Sequence, residues 1–388
     1  MKKVLIYYRH FITLGGAEFL PLTFIAEVQK TCDVTLALDS KLNFETAIRT
    51  FDIPIDMSSL KVVQVMPKNY RSTDSSFFLS FYRSRRLKRL AKDADICFSL
   101  ANVMDFGKPA HHFLISIELG DEAFRSFVKQ PDQPQHVPLT KRVRWFLMDG
   151  CVRRLLGMRS KRNIISRAKE HIYPNSFYVE SLIKRFYGSC NSTVFYPPTV
   201  FELKKRNVLR NPLHAVYLGR IVPEKKVFDI IDIVERARAV SGKEILLSIA
   251  GHWGSESFRK KTLRFASDKK WIMFPGELFG EEKERFLLSA TYAVHAMQTE
   301  AFGISITEYL KSGLIPIVPD EGGSCEVVDN RDLTYHTNEE AANILVKLLN
   351  DPEFREQQRR RCEERAKAFS KDAYMDRQHR LLQDIVES

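Results

Sequence analysis

The sequence predicts an α/β protein made of two doubly wound domains, and three observations carry that prediction. Short apolar runs alternate with helical stretches, the alternation stops at a stiff polar connection and restarts, and 388 residues suffice for two or three domains.

In the first half the runs are KVLIYY (3–8), DVTLALD (33–39), ADICFSL (94–100) and HFLISIE (112–118). Near-continuous apolar runs of this length are what buried parallel strands require. A turn is expected at Pro174-Asn175 and a helix from about Ser176. Pro197-Pro198 then stiffens a polar connection, which places the domain boundary near residue 200.

In the second half the runs are HAVYLGRI (214–221), EILLSIAG (244–251), WIMFPG (271–276), YAVHAM (292–297) and LIPIVPD (314–320). Helices are expected over about 226–239, 281–289, between Glu300 and Gly313, and through most of the chain after Thr337. The expected division is residues 1–198 and 199–370, each Rossmann-like, with a terminal helix at 371–388 that can return to the first domain. Two such domains face each other across a cleft at the carboxyl ends of their strands, so the chemistry is sought in the loops there.

Hydrophobic residues at 44% and charged residues at 28% exclude widespread disorder. The six cysteines are scattered without a C-x-x-C pair, which argues for reduced thiols and against a zinc or disulfide framework. MKKVLIYYRHF reads as a first strand and not as a signal peptide, and no run reaches the ~18 to 20 apolar residues of a membrane span. A cytoplasmic protein is expected, with peripheral membrane contact as an option.

The net charge of +12 sits mainly in the first half. Phe81–Lys92 holds six basic residues and no acid, and Leu139–Arg162 is basic with Asp149 as its single acid. In the latter, Val143, Phe146 and Leu147 fall at helical spacing among Arg142, Arg144 and Trp145. Such a segment suits either an anionic bilayer or a solvated basic face.

RHFITLGGAE (9–18) sets Gly15-Gly16 between a strand and a helix. Paired glycines let backbone amides approach an anion at a helix start, and a tight turn explains them as well. The pattern is neither G-x-G-x-x-G nor a Walker loop, so dinucleotide binding and ATP hydrolysis lose their sharpest signatures. YLGRIVPEKK (217–226) sends Arg220 and Lys225 out of a strand end, where they suit one diphosphate or plain solvated charge.

MQTEAFGISITEYLKSGLIPIVPDEGG (297–323) is richer. Ser305 and Glu308 have the spacing of a capping box, which by itself explains an acid inside an apolar helix. Glu300 and the amides of Phe302, Gly303, Ile304 and Ser305 fall outside that explanation. A ligand with a diphosphate on the amides and hydroxyl groups on both sides would use both acids as acceptors, and sugar nucleotides have that form. Gly322-Gly323 precedes another anion-friendly helix start. His111-His112, His252 and His295 form no ligand spacing with Asp320 and Glu321, so no metal is expected.

In this order the segments resemble the family-four retaining glycosyltransferases of the GT-B fold over nearly the whole chain. Glu300 to Glu308 looks like that family's E-x7-E motif, with YLGRIVPEKK at the right distance upstream. The resemblance implies that Glu300 contacts the donor sugar and Glu308 the ribose. Arg220 and Lys225 then hold the diphosphate with the amides of Phe302 to Ser305, Gly15 and Gly16 face donor and acceptor, and no divalent metal is needed. HAMQTEAFGISITEYLKSGLIPIV is further similar to the GDP-mannose-dependent mannosyltransferases of lipid-linked oligosaccharide assembly. That similarity implies GDP-mannose ahead of a UDP-sugar; a lipid-linked glycan or lipopolysaccharide core as acceptor would match the cationic first domain, whereas a soluble acceptor would make those charges mainly solubilising.

One departure is visible. Many relatives carry a histidine at the end of the fourth strand, where FLISIELGDEAF places Glu118, with Asp121 just beyond. Glu118 is expected to accept a hydrogen bond from a sugar hydroxyl or to help deprotonate the acceptor. Two rival readings stand beside the transferase. One is a sugar-nucleotide epimerase of the same build, and the other a basic protein binding membrane or polynucleotide through Arg83–Arg89 and Arg142–Arg162. Of the two polyanions, nucleic acid is not the expected partner.

Overall fold

The structure is a computed structural model, and it describes all residues except 12–15, 68–69, 71–76, 101, 115–123, 125–126, 129–139, 141–146, 148–150, 168, 204–208 and 388. The chain divides into two compact units, Met1–Val200 with Tyr374–Ser388, and Phe201–Ala373.

The first unit is built on six strands: β1 (Lys2–Tyr8), β2 (Cys32–Leu38), β3 (Lys61–Gln64), β4 (Ile96–Ser99), β5 (His111–Leu114) and β6 (His171–Pro174). They pair in parallel in the order β3-β2-β1-β4-β5-β6. Val4 and Ile6 of β1 and Leu36 of β2 enter one core with Phe24, Phe98 and Phe113, joined by Tyr374, Leu382 and Ile385 of the helix Lys371–Glu387. Four of the strands coincide with apolar runs in the sequence, although the run 112–118 is described only to Leu114. The other two escape the pattern: KVVQ is short and half-exposed, and HIYP ends in the proline that reads as a turn.

The second unit holds β7 (Asn211–Leu218), β8 (Leu246–Ala250), β9 (Ile272–Gly276), β10 (Ala290–Val294), β11 (Ile315–Pro319) and β12 (Thr334–Tyr335), also parallel, in the order β12-β11-β10-β7-β8-β9. All five predicted runs are strands here. β10 and β11 are buried along their whole length, which is why their sequences are almost entirely apolar. In each sheet the strand order reverses once, between β1 and β4 and between β7 and β10. The crevice at the carboxyl ends of such a pair is where open α/β sheets bind ligands.

Part of the positive charge proves structural. Arg83 turns inward, its Nε donating to both oxygens of the fully buried Asp39 at 2.9 and 3.0 Å, while Tyr7 Oη donates to the same carboxylate at 3.0 Å. Arg159 Nε donates to Asp105 Oδ1 at 2.7 Å and its Nη1 to Glu170 Oε1 at 2.5 Å. Buried carboxylates need such partners, so Arg83 and Arg159 leave the expected basic surface. Arg142, Arg144 and Trp145 lie outside the described residues. What the helix Phe77–Ala91 does expose is a stripe of Phe78, Tyr82, Arg85 and Arg89. Among the described residues no helix is long and apolar enough to cross a membrane.

Candidate functional site

At the carboxyl end of β7 the backbone is clamped before the first cation leaves it. Tyr309 Oη accepts from Leu218 N at 2.6 Å and donates to Leu218 O at 3.2 Å, and Tyr217 Oη donates to Arg220 O at 3.1 Å. The loops after β7 and β8 then touch backbone to backbone. A Cβ on Gly251, whose φ is 145°, would stand 1.8 Å from Gly219 O, so only glycine permits that contact. Arg220 emerges exposed, with no ion pair among the described residues. Lys225 sits in the short turn Pro223–Lys225, and the following Lys226 donates to Gln298 Oε1 at 2.7 Å.

Lys225 reaches the loop after β10. Its Nζ hydrogen-bonds Glu300 Oε2, and His295 Nε2 lies 3.4 Å from the same oxygen. Burial alone would raise the Glu300 carboxyl, but the His295 ring and the Lys225 ammonium outweigh it and hold the group well below the usual carboxylate range. Glu300 is therefore ionised at neutral pH. His295 is itself fixed, with its ring stacked on Tyr217 at 6.2 Å between centroids and its carbonyl accepting from Tyr335 Oη at 2.7 Å.

Gly322-Gly323 seats this loop, a task that the expectation of an anion-friendly helix start did not include. A Cβ on Gly322 would lie 2.4 Å from Gln298 O and one on Gly323 2.4 Å from Ala301 O. Gly323 N donates to Glu300 O at 2.7 Å, so the first amide of the short helix Gly323–Val328 is already committed.

The capping box is also overturned. The helix Ile304–Lys311 is preceded by Gly303 in the left-handed region at φ 94°, with no side-chain cap, and Ser305 falls inside the helix as its second residue. Glu308 instead points to another element, its Oε1 accepting from Lys283 Nζ of the helix Gly280–Ser289 at 2.5 Å. Burial raises the Glu308 carboxyl, with Lys283 and Lys311 opposing. Because Ile304 opens the helix, its amide and that of Ser305 have no partner within it. Phe302 is buried with its ring against Phe369, at 6.0 Å between centroids.

Of the residues singled out in the sequence, Lys225 and Glu300 are bonded directly. Tyr309, the neighbour of Glu308, bonds Leu218, two residues before Arg220. Gly16 opens the helix Gly16–Val28, whereas Gly15, Glu118 and Asp121 lie outside the described residues. Sequence reasoning missed Lys283, Tyr309 and Tyr335, whose ammonium and hydroxyls act on partners far along the chain, and Tyr217, whose hydroxyl bonds the carbonyl of nearby Arg220. His295 carried one usable signal, its place at a strand end five residues before Glu300. Among the described residues no group of three or more His, Cys, Asp or Glu is arranged to hold a metal ion.

The architecture is the α/β GT-B fold, two units each built on a parallel Rossmann-like sheet. The crystal structure of Alr3699/HepE from Anabaena in complex with UDP-glucose superposes with a TM-score of 0.64 at 16% identity, covering 99% of this chain and 100% of that one. Residues 201–369 match the family model of glycosyl transferases group 1. That match corrects the assignment to family four drawn from the E-x7-E spacing, a pattern of two acids too short to separate families. The uncharacterized glycosyltransferase YqgM of Bacillus subtilis is 26% identical over 200 residues, 50% of this chain and 55% of that protein. The GDP-Man:Man(3)GlcNAc(2)-PP-Dol alpha-1,2-mannosyltransferase of Candida glabrata is 24% identical over 205 residues, 47% of this chain and 41% of that protein. The chain thus spans about half the length of the curated relatives it matches. The class expected from the sequence, glycosyltransferase, is the class of the family model and of both relatives.

Proposed function

We propose that the protein is a glycosyltransferase, moving a sugar from a nucleotide-sugar donor to a hydroxyl of a glycan or lipid-linked glycan. The observation that carries this reading is the grouping at the β7/β10 reversal: exposed Arg220, Lys225 bonded to an ionised Glu300, and the helix start at Ile304. In the transfer the bond between the anomeric carbon and the diphosphate oxygen breaks, and its electron pair leaves with the nucleoside diphosphate. The acceptor oxygen bonds that carbon, and its proton passes to the departing diphosphate or to Glu118 as base. Arg220, Lys225 and the positive helix end oppose the charge gathering on the leaving group. Glu300 accepts from hydroxyls of the donor sugar, and Glu308 from the ribose.

The family match supports the activity, and the relatives' printed ligands support a UDP- or GDP-sugar. Mannose from GDP-mannose, retention of the anomeric configuration, independence from a divalent metal, acceptor-side contacts from Gly15, Gly16 and Glu118, and a cytoplasmic site of action complete the proposal. A thermal-shift panel of nucleotide sugars, followed by the mass and anomeric configuration of any product made with and without a chelator, tests these together. Arg220→Ala and Lys225→Ala are each expected to weaken nucleoside diphosphate binding by about 10- to 100-fold, the usual size of a lost charge-assisted contact. Turnover of the sugar nucleotide without an acceptor would instead establish the epimerase, and no binding by any member of the panel would sink the reading.

A lipid-linked acceptor requires a surface that meets an anionic membrane, and the exposed stripe Phe78, Tyr82, Arg85 and Arg89 has that chemistry. The double variant Arg85→Gln/Arg89→Gln is expected to lower affinity for anionic vesicles roughly 30-fold, at about 1 kcal/mol for each charge near the surface. Unchanged co-flotation would remove the membrane from the proposal.

A further inference from the structure

We infer that Lys283 is a positioning residue for the donor's ribose, holding Glu308 by one carboxylate oxygen so that the other is presented to a ribose hydroxyl. This rests on the donor-site reading above and assigns a new residue to it.

The geometry is that of a held carboxylate. Lys283 Nζ lies 2.5 Å from Glu308 Oε1, and the two side chains are only 23% and 11% exposed. The ammonium also sits 5.2 Å from the centroid of the Phe201 ring, which restricts where it can go. The charged groups facing Glu308 are Lys283 from the helix Gly280–Ser289 and Lys311 from its own helix, and Lys311 Nζ bonds Glu202 Oε1 at 2.6 Å. Lys283 is therefore the cation bonded to this acid. Among the described residues the hydrogen bond that the Glu308 side chain accepts goes to Oε1, and none goes to Oε2.

An acid placed in an apolar helix without a cation takes up a proton, and a protonated carboxyl loses half of its accepting capacity. The ammonium on Oε1 opposes the rise that burial imposes on the carboxyl and aims it, so that Oε2 can accept from a hydroxyl. A capping role for Glu308 would need neither the half-buried cation nor the open oxygen.

The test measures affinity for UDP and GDP, and for their 2′,3′-dideoxy analogues, between about pH 6 and pH 8. The proteins are the wild type, Lys283→Met, Lys283→Arg, Glu308→Gln and the double variant Lys283→Met/Glu308→Gln. Lys283→Met is expected to weaken binding of the ribonucleotide by about 10- to 100-fold at the acidic end. The deficit should narrow as pH rises and Glu308 ionises unaided. Lys283→Arg should stay near the wild type, Lys283→Met should add nothing once Glu308 is glutamine, and the dideoxy analogues should not register the change. An equal loss for ribo- and dideoxynucleotides, or unchanged affinity in a folded Lys283→Met protein, reduces Lys283 to a structural ion pair and leaves the donor-site reading standing. If neither nucleotide binds the wild type, both fall together.

Discussion

Glu300→Gln is expected to lower kcat by about 100- to 1,000-fold, the scale seen when one fixed electrostatic group is removed from an active centre. The substitution keeps the shape and one acceptor oxygen but removes the charge that Lys225 and His295 surround. Without that charge Lys225 loses its partner, and on the proposed roles the diphosphate then loses a fixed cation and the donor sugar a strong acceptor. The pH dependence separates this role from that of an ordinary acid or base. Because the folded carboxyl is held below its unfolded value, its contribution to stability is fully present above about pH 4.3 and is lost only as pH falls toward the depressed value. The wild type should accordingly show no acidic limb from Glu300 across the neutral range. The stability gap between wild type and Glu300→Gln should be constant at neutral pH and close only in strong acid. A variant with wild-type kcat and reduced stability would make Glu300 a structural acid.

The sheets were legible because burial on both faces leaves little choice of residue. ATYAV and IPIVP could hardly be anything but interior strands, whereas KVVQ at the edge of its sheet and the two-residue β12 carry too little pattern to be seen. The fold class followed from the repeated rhythm of the two halves and needed none of the missed strands.

The site was legible as residue types and not as bonds. Arg220, Lys225, Glu300 and Glu308 stand out as charges at strand ends or inside an apolar helix. That Lys225 bonds Glu300, 75 residues away, follows only when β7 and β10 become neighbours. The S-x-x-E spacing misled because a left-handed glycine at position 303 starts the helix before Ser305 can cap it. Glu308 then answers to Lys283, for which no local spacing speaks. The glycine pairs gave the opposite kind of signal. They were visible as anion-friendly loops, while their observed task at residues 322–323 is to let two loops touch.

Gly251→Ala should cost roughly 3 to 5 kcal/mol of stability in the second unit and weaken nucleotide binding in whatever folds. Two penalties add at this position. The φ of 145° is strained for any residue with a Cβ, and that Cβ would fall 1.8 Å from Gly219 O. A flexible side chain could yield, but the opposing atom is backbone held from several sides. Gly219 N donates to Ala250 O at 3.0 Å, Gly251 N donates to Gly276 O at 2.7 Å, and Tyr309 clamps Leu218 one residue before Gly219. Relief therefore requires the loop after β7 to move, and Arg220 is the next residue on that loop. Gly276→Ala supplies the control, since Gly276 also has a positive φ, 86°, but an added Cβ there meets nothing within 4 Å. It should cost about 1 to 2 kcal/mol from backbone strain alone and leave binding intact. Denaturant midpoints and nucleoside diphosphate affinities of the two variants decide the matter. Equal losses would mean that the contact between the β7 and β8 loops contributes nothing, and a larger loss confined to Gly251→Ala would locate the support of Arg220 in that contact.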